Sequence, residues 1–161
     1  MKFNIISLPP FQAASSGLVQ DFDFSTESAL GKFDAYFSAI TPSPRDSFRP
    51  RDFLCFGGEA EGVIWLYALS EGMEAGGYQV VDCEGGYYVT YTYRDGDEDA
   101  GRELYQEALR YIEASEIFDL DIRSGHLSMG HIITPPEVIQ AQGWAQMECF
   151  VPVKLKEETQ K

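Results

Sequence analysis

The stretch Trp144 to Val153 reads WAQMECFVPV, and its alternation decides the fold. A β-strand places successive side chains on opposite faces of its sheet. One face of this strand is small or aliphatic throughout: Ala145, Met147, Cys149, Val151 and Val153. The other face places a carboxylate between two large aromatic side chains: Trp144, Gln146, Glu148, Phe150 and Pro152. Because an unpaired carboxylate is costly to bury, this face predicts a cleft for a cationic or polarised apolar ligand. A surface glutamate flanked by rim aromatics is the alternative.

The elements around this strand indicate an α+β protein built from a duplicated unit. In each half the predicted order is strand, strand, helix, strand, strand, with halves at about 1–75 and 76–156 of one domain, 1–161. The strongest strand signal is Tyr87 to Tyr93, which is β-branched or aromatic throughout. Two such units predict a mostly antiparallel sheet, with two helices on one face and a ligand trough on the other. The predicted strands are 3–8, 11–20, 52–56, 63–69, 78–83, 87–93, 127–133 and 144–153.

Both helices are predicted from apolar stripes at helical spacing. Ser25 or Thr26 is expected to cap the first helix, and prolines end it. The second helix is expected over 99–115, after the acidic run Asp95 to Asp99. That run lacks the glycine and glutamate that an EF-hand loop needs, so it predicts an acidic turn that favours a helix N-terminus. The two stripes are Leu30, Phe33, Phe37 and Ile40, and Leu104, Ala108, Tyr111 and Ile112.

Composition and charge narrow the classes of function. The chain has 161 residues and a formal net charge of -14. Such a chain repels phosphate backbones and anionic membrane surfaces, so direct nucleic-acid or membrane binding is not expected. The N-terminus does not have the pattern of a signal peptide, which favours a cytoplasmic location. The three cysteines are widely spaced and predict buried free thiols. No metal-ligand spacing or cofactor motif is present, so neither a metal nor a cofactor is expected.

The same alternation selects the other candidate site residues. In the strand 63–69 the aliphatic residues are expected to face a helix, while Trp65 and Tyr67 face the trough. If Val89 packs on the other helix, Tyr88 lines the trough. His131 lies on a predicted strand and could enter the trough as a base, although a structural role is the alternative. His126 lies beside a glycine and is predicted to be solvated. The candidate ligand-binding residues are Glu148, Trp144, Phe150, Trp65, Tyr67, Tyr88 and His131.

Two short motifs carry a resemblance to a known family. The run Gly86-Tyr87-Tyr88-Val89 resembles the G-x-Y-A strand of GyrI-like small-molecule-binding domains. The run QMECFVPV at 146–153 resembles the closing strand of those domains, in which a glutamate precedes an aromatic residue and Pro-Val. Val89 replaces the alanine that the family often has. The duplicated order of elements is also similar and extends over essentially the whole chain.

The resemblance implies an effector-binding fold that also occurs fused to regulators of the AraC and MerR types. In that family a buried glutamate of the closing strand contacts lipophilic cationic drugs, and the matching residue here is Glu148. The resemblance implies a multidrug-binding bacterial protein, and the length of the chain favours a stand-alone binder over a transcription factor because it leaves no room for a DNA-binding module. Some stand-alone members are similar to hydrolases that open the cyclopropane ring of DNA-alkylating natural products. Glu148 would be catalytic in that case.

Three hypotheses therefore remain open. The chain binds a lipophilic, cationic or electrophilic small molecule through Glu148, or it hydrolyses such an electrophile for self-protection. The third hypothesis is a protein-interaction module in which the acidic surface binds a partner such as DNA gyrase.

Overall fold

The computed structural model describes residues 3–46, 51–56, 61–123 and 126–157, which form nine strands and three helices. The predicted turn at Gly57-Gly58 lies outside these residues. The strands are β1 (Asn4–Leu8), β2 (Phe11–Val19), β3 (Asp52–Phe56), β4 (Val63–Leu69), β5 (Gln79–Cys83), β6 (Gly86–Arg94), β7 (Phe118–Leu120), β8 (Ser128–Ile132) and β9 (Gln146–Leu155). The helices are α1 (Ala29–Ser38), α2 (Glu98–Ala114) and α3 (Pro136–Gln142). The predicted α+β class with antiparallel strand pairing is confirmed.

The chain divides into two compact units that do not coincide with its contiguous halves. The β2 unit comprises residues 10–84, and the β9 unit comprises residues 1–9 and 85–161. Strand β1 pairs with β6 of the β9 unit, whereas β5 pairs with β2 of the β2 unit. Each unit therefore takes one edge strand from the other half of the sequence, which the predicted order of elements did not reveal.

In the β2 unit the strand order is β3-β4-β2-β5, and every pair is antiparallel. The register of β2 against β4 shifts between Ser15 and Leu18, where Gly17 has φ 71°. This irregularity is a β-bulge at Gly17, because a left-handed backbone conformation suits glycine best. Helix α1 buries Leu30, Phe33 and Phe37, as its apolar stripe predicts.

The N-terminus of α1 differs from the prediction. Ser28 is the capping residue, and its hydroxyl accepts a hydrogen bond from the Gly31 amide at 3.0 Å. The predicted caps, Ser25 and Thr26, lie one turn earlier. Ser25 instead uses its carbonyl oxygen, which accepts bonds from the backbone and side chain of Ser28. The turn formed by these bonds places Ser28, and not Ser25, at the N-terminus of α1.

Gly31 is the residue that allows this close approach. A Cβ atom added there would collide with the Ser25 carbonyl oxygen and lie 2.7 Å from its carbon. We expect Gly31→Ala to lower the free energy of unfolding of the β2 unit by about 2 kcal/mol, since the clash is with backbone and exceeds the gain in helix propensity. Denaturation followed by Trp65 fluorescence measures it. Lys32→Ala, an exposed neighbour, is the control, and equal stability of both variants would contradict the prediction.

In the β9 unit the strand order is β1-β6-β9-β8, and β7 also pairs with β9. The predicted stripe of α2 covers this sheet, with Ala108 and Ile112 packed against Val89, Val151 and Val153. Asp97 caps α2 by accepting a hydrogen bond from the Ala100 amide at 3.0 Å, with two more acidic residues in the first turn. The acidic run is thus a helix start, as predicted. The short β7 and α3 were not predicted.

Candidate functional site

Strand β9 separates the two kinds of side chain as the sequence predicts. Val151 and Val153 belong to the buried cluster under α2, with Cys149 packed beside it. The alternate residues Glu148 and Phe150 therefore lie on the face of β9 away from α2. In this unit the aliphatic side of the closing strand packs on a helix, and the carboxylate lies on the opposite side.

Strand β6 adds Tyr88 to the same face. Val89 is fully buried in the cluster under α2, which settles the open question about this strand. Tyr88 then points away from α2, and its ring meets the ring of Phe150 edge to face, with centroids 6.0 Å apart. Both rings are buried, with exposures of 4% for Tyr88 and 0% for Phe150. They form a closed aromatic wall rather than an open surface.

Glu148 is half-buried beside this wall. It is paired across the sheet with Thr92 of β6 on one side and with His131 of β8 on the other. Desolvation raises the pKa of the Glu148 carboxyl, and the charge of His131 opposes this rise. A desolvated carboxylate is stabilised when a cation approaches it, because the attraction to the cation replaces the hydration that the carboxylate has lost. His131 thus lies directly beside Glu148, as the sequence allowed.

Trp144 does not lie on the strand. Strand β9 begins at Gln146, and Trp144 belongs to the turn that follows Gly143, the left-handed C-cap of α3. The guanidinium of Arg94 lies 5.4 Å from the centroid of the indole ring, at the distance of a cation–π contact. The predicted strand start at Trp144 was wrong, because α3 and its cap occupy the residues before β9. The guanidinium of Arg94 therefore already occupies one face of the Trp144 indole.

The predicted orientation of β4 was wrong. Tyr67 stacks on Phe37 of α1 with centroids 4.5 Å apart, and Trp65 lies 5.5 Å from Phe33. Both aromatic residues therefore face α1 instead of the side away from it. The rings of α1 make ring–ring contacts with Trp65 and Tyr67 that the aliphatic side chains of β4 could not make. Ala14 of β2 belongs to the same cluster, and its small side chain leaves space for these rings. Trp65 also donates its indole N–H to Asp52, at 3.0 Å. These contacts give Trp65 and Tyr67 a packing role in the β2 unit.

His126 is buried, which corrects the prediction that it is solvated. Its Nδ1 lies 2.6 Å from Oδ2 of Asp121, and the two side chains are 1% and 2% exposed. Arg123 Nε contacts the same carboxylate oxygen at 2.9 Å. The ring of His126 also meets that of Tyr88 edge to face at 4.7 Å. This Asp121–His126 pair was missed because the glycine beside the histidine suggests an open loop, and an aspartate five residues earlier is a weak signal.

Desolvation raises the pKa of the Asp121 carboxyl, but hydrogen bonds from His126 and the Arg123 amide, with the charges of both residues, outweigh it. The pKa of Asp121 is therefore lower than usual, and the carboxylate stays ionised. An ionised acceptor on Nδ1 assigns the proton to that nitrogen. The remaining nitrogen, Nε2, is buried and makes no hydrogen bond within the described part of the chain.

The three cysteines are free. Burial raises the pKa of the Cys55 thiol to about 12 and that of the Cys83 thiol to about 11, with smaller contributions from nearby charges. Burial also raises the pKa of Cys149. Since the thiolate is the reactive form, none of the three has the character of a nucleophile. Among the described residues no group of acidic, histidine and cysteine side chains could hold a metal ion.

Comparison with known proteins shows the fold. No family model matches the chain, and no curated protein matches it. A hydrolase from Listeria innocua has a similar structure, with a TM-score of 0.60 and 11% identity over 95% of this chain and 92% of that chain. SAV2435, in a structure bound to tetraphenylphosphonium, gives 0.56 and 10% identity over 96% of this chain and 94% of that chain.

A third similar structure is a proposed transcription regulation protein from Staphylococcus aureus MU50, with a TM-score of 0.54 and 12% identity over 96% of this chain and 99% of that chain. At these identities the likeness establishes a shared fold, and the function has to be argued from the side chains. No helix in the described part of the chain is long and apolar enough to span a membrane.

Proposed function

We propose that this chain is a GyrI-like domain that binds a lipophilic cationic or electrophilic small molecule, with Glu148 as its anionic anchor. The observation that carries the proposal is the half-buried carboxylate of Glu148, whose pKa is raised by desolvation, on the same face of the β9 unit as Tyr88 and Phe150. Aromatic faces and a desolvated carboxylate together favour a lipophilic cation over a hydrated metal ion.

Two further observations support this function. One protein of similar fold was captured with tetraphenylphosphonium, a lipophilic cation without hydrogen-bond donors. Glu148 also keeps a raised pKa although the charge of His131, directly across the sheet, lowers it, so desolvation dominates at the anchor. The location of the full binding surface remains a prediction, and so do the ligand-binding roles of Trp144, Trp65 and Tyr67.

The test is Glu148→Gln, with tetraphenylphosphonium as the probe. Replacing one partner of a desolvated charge pair costs about 2 kcal/mol or more, so we expect affinity to fall by about 30-fold or more. Titration calorimetry of the full chain measures it. Glu113→Gln, on the exposed side of α2, removes the same charge and is expected to change affinity by less than about twofold.

The same variant has a second readout that does not need a ligand. Because the pKa of Glu148 is raised in the folded state, ionisation of this carboxyl costs stability above its unfolded pKa, and the cost is complete above its folded pKa. Glu148→Gln is therefore expected to unfold at a higher temperature than the wild type at neutral pH, and the difference should disappear in acid. Unchanged affinity together with unchanged stability would reject the anchor role.

Hydrolysis of a strained electrophile is the second candidate, and the raised pKa of Glu148 favours it because a more basic carboxylate is a better proton acceptor. The reaction would add water across one cyclopropane C–C bond. Mass spectrometry of a cyclopropane-bearing alkylator incubated with the protein distinguishes the two functions. An intact bound ligand supports binding alone, whereas a ring-opened hydrate that forms with wild type and not with Glu148→Ala supports hydrolysis.

A further inference from the structure

The face of the β9 unit that carries Glu148 is closed at one end and open at the other. On β6 this face is buried at Thr90 and exposed at Thr92 and Arg94. Strand β9 runs antiparallel to β6 and follows the same gradient, with Glu148 half-buried and Gln146 exposed. The end of the sheet at which Arg94 pairs with Gln146 is therefore the open approach to the Glu148 carboxylate.

The Trp144 indole lies at this open end, beneath the Arg94 guanidinium. The guanidinium carbon is 5.4 Å from the ring centroid, and Trp144 is 38% exposed. No carboxylate among the described residues forms an ion pair with Arg94, although the chain has 26 acidic residues. The indole is therefore the partner that holds this guanidinium. An exposed cation–π contact is weak enough for a second cation to replace it.

Glu148 and Trp144 are close enough for one ligand to touch both. Trp144 precedes Glu148 by four residues, so even a fully extended backbone separates their Cα atoms by at most about 14 Å. Arg94 pairs with Gln146, and the next residue on its face, Thr92, pairs with Glu148. Arg94 is thus the diagonal neighbour of Glu148, and such neighbours lie about 7–8 Å apart. A polyaromatic cation can span these distances.

We propose that the Trp144 indole is a second contact of the cationic ligand that Glu148 anchors, and that Arg94 is a built-in competitor for this ring. Without ligand the guanidinium covers the indole. A cation that carries aromatic rings displaces the guanidinium, which is then hydrated at a position where Arg94 is already exposed. A small hydrated cation lacks rings to stack on the indole and does not displace it. The inference rests on the proposed function for the anchor.

The test measures tetraphenylphosphonium binding to the full chain by titration calorimetry. We expect Arg94→Gln to bind this probe about fivefold more tightly than the wild type, because the variant uncovers the indole and removes a like charge from the approach. Arg110→Gln is the matched control. Arg110 is exposed on α2, which covers the opposite face of the sheet, so the same loss of charge there should change affinity by less than about twofold.

A Trp144→Leu background separates the indole from the charge. In this background Arg94→Gln should raise affinity by less than about twofold, because the ring for which the two cations compete is absent. The indole N–H resonances of the two tryptophans give a direct readout. Tetraphenylphosphonium should move the Trp144 signal in a saturable way, while the signal of Trp65, whose indole N–H donates to Asp52, serves as the reference.

Three outcomes would each overturn the inference: equal affinity of wild type and Arg94→Gln, the full effect of Arg94→Gln in the Trp144→Leu background, or a Trp144 resonance that the probe leaves unchanged. Binding that requires Glu148 but ignores Arg94 would keep the anchor and reject the competitor. Tighter binding by Arg94→Gln that survives Glu148→Gln would do the reverse. Absence of binding to both wild type and Arg94→Gln would reject both proposals.

Discussion

Phe33→Ala is expected to lower the free energy of unfolding of the β2 unit by about 3–5 kcal/mol, the usual cost of deleting a fully buried phenyl ring. Phe33 is 1% exposed, and its ring lies within 5.5 Å of three other aromatic rings, measured between centroids. Those neighbours are Phe37, Trp65 and Tyr78. The cost combines lost burial with lost ring contacts, since the surrounding rings are too rigid to fill the cavity.

The measurement uses the fact that each unit contains one tryptophan. Trp65 belongs to the β2 unit and Trp144 to the β9 unit, so a Trp144→Phe background leaves fluorescence that reports the β2 unit alone. Chemical denaturation then compares Phe33→Ala with Phe22→Ala. Phe22 is 59% exposed and is expected to cost less than about 1 kcal/mol. Equal losses for the two variants would show that the aromatic cluster does not stabilise the unit as described.

Asp121→Ala is expected to cost the β9 unit about 3 kcal/mol, because it leaves the buried Nδ1–H of His126 without its acceptor. The acceptor of the Nδ1–H of His126 is Oδ2 of Asp121, and the side chain of Asp121 is 2% exposed. Asp119→Ala is the matched control from the same strand region. Asp119 is 54% exposed and lies 3.9 Å from Lys156, a surface pair expected to contribute less than about 1 kcal/mol. Similar losses for both variants would contradict a special role of the Asp121–His126 pair.

The loss should also depend on pH with a defined sign. The pKa of Asp121 is lowered in the folded state despite desolvation, by hydrogen bonds from His126 and Arg123 and by their charges. Its contribution is therefore fully present above the unfolded pKa, about 3.9, and is lost as the pH falls through the lower folded pKa. Stability measured from pH 7 downwards should show a constant gap between wild type and Asp121→Asn that closes only below about pH 4. A gap that closes well above pH 4 would contradict this origin of the effect.

The sequence predicted the face of β9 correctly because this strand has one clearly aliphatic side, whereas it left the face of β6 open because both of its sides carry tyrosines. Val151 and Val153 could pack only on a helix, and Val89 followed them once the strands paired. The place of Glu148 away from α2 then follows from alternation alone. The family resemblance rested on these same two strands.

Strand β4 shows where this reasoning fails. Alternation separates Trp65 and Tyr67 from their aliphatic neighbours, but both sides of this strand are apolar enough to be buried. The choice between the two sides depended on α1, which offers the rings of Phe33 and Phe37 to aromatic partners. Which side of a strand faces a helix depends on the side chains that the helix brings to it. The sequence of the strand alone does not specify that side.

The sequence alone thus determined the fold class, the positions of most strands and two helices, and the location of Glu148 on the aromatic side of β9. These follow from local periodicity, which each segment carries by itself. Only the tertiary structure decided that Trp65 and Tyr67 face α1 and that β1 and β5 pair with strands of the other half of the sequence. The same holds for the buried hydrogen bond between Asp121 and His126. Those outcomes depend on contacts between distant segments and on desolvation, which arise only when the chain has packed.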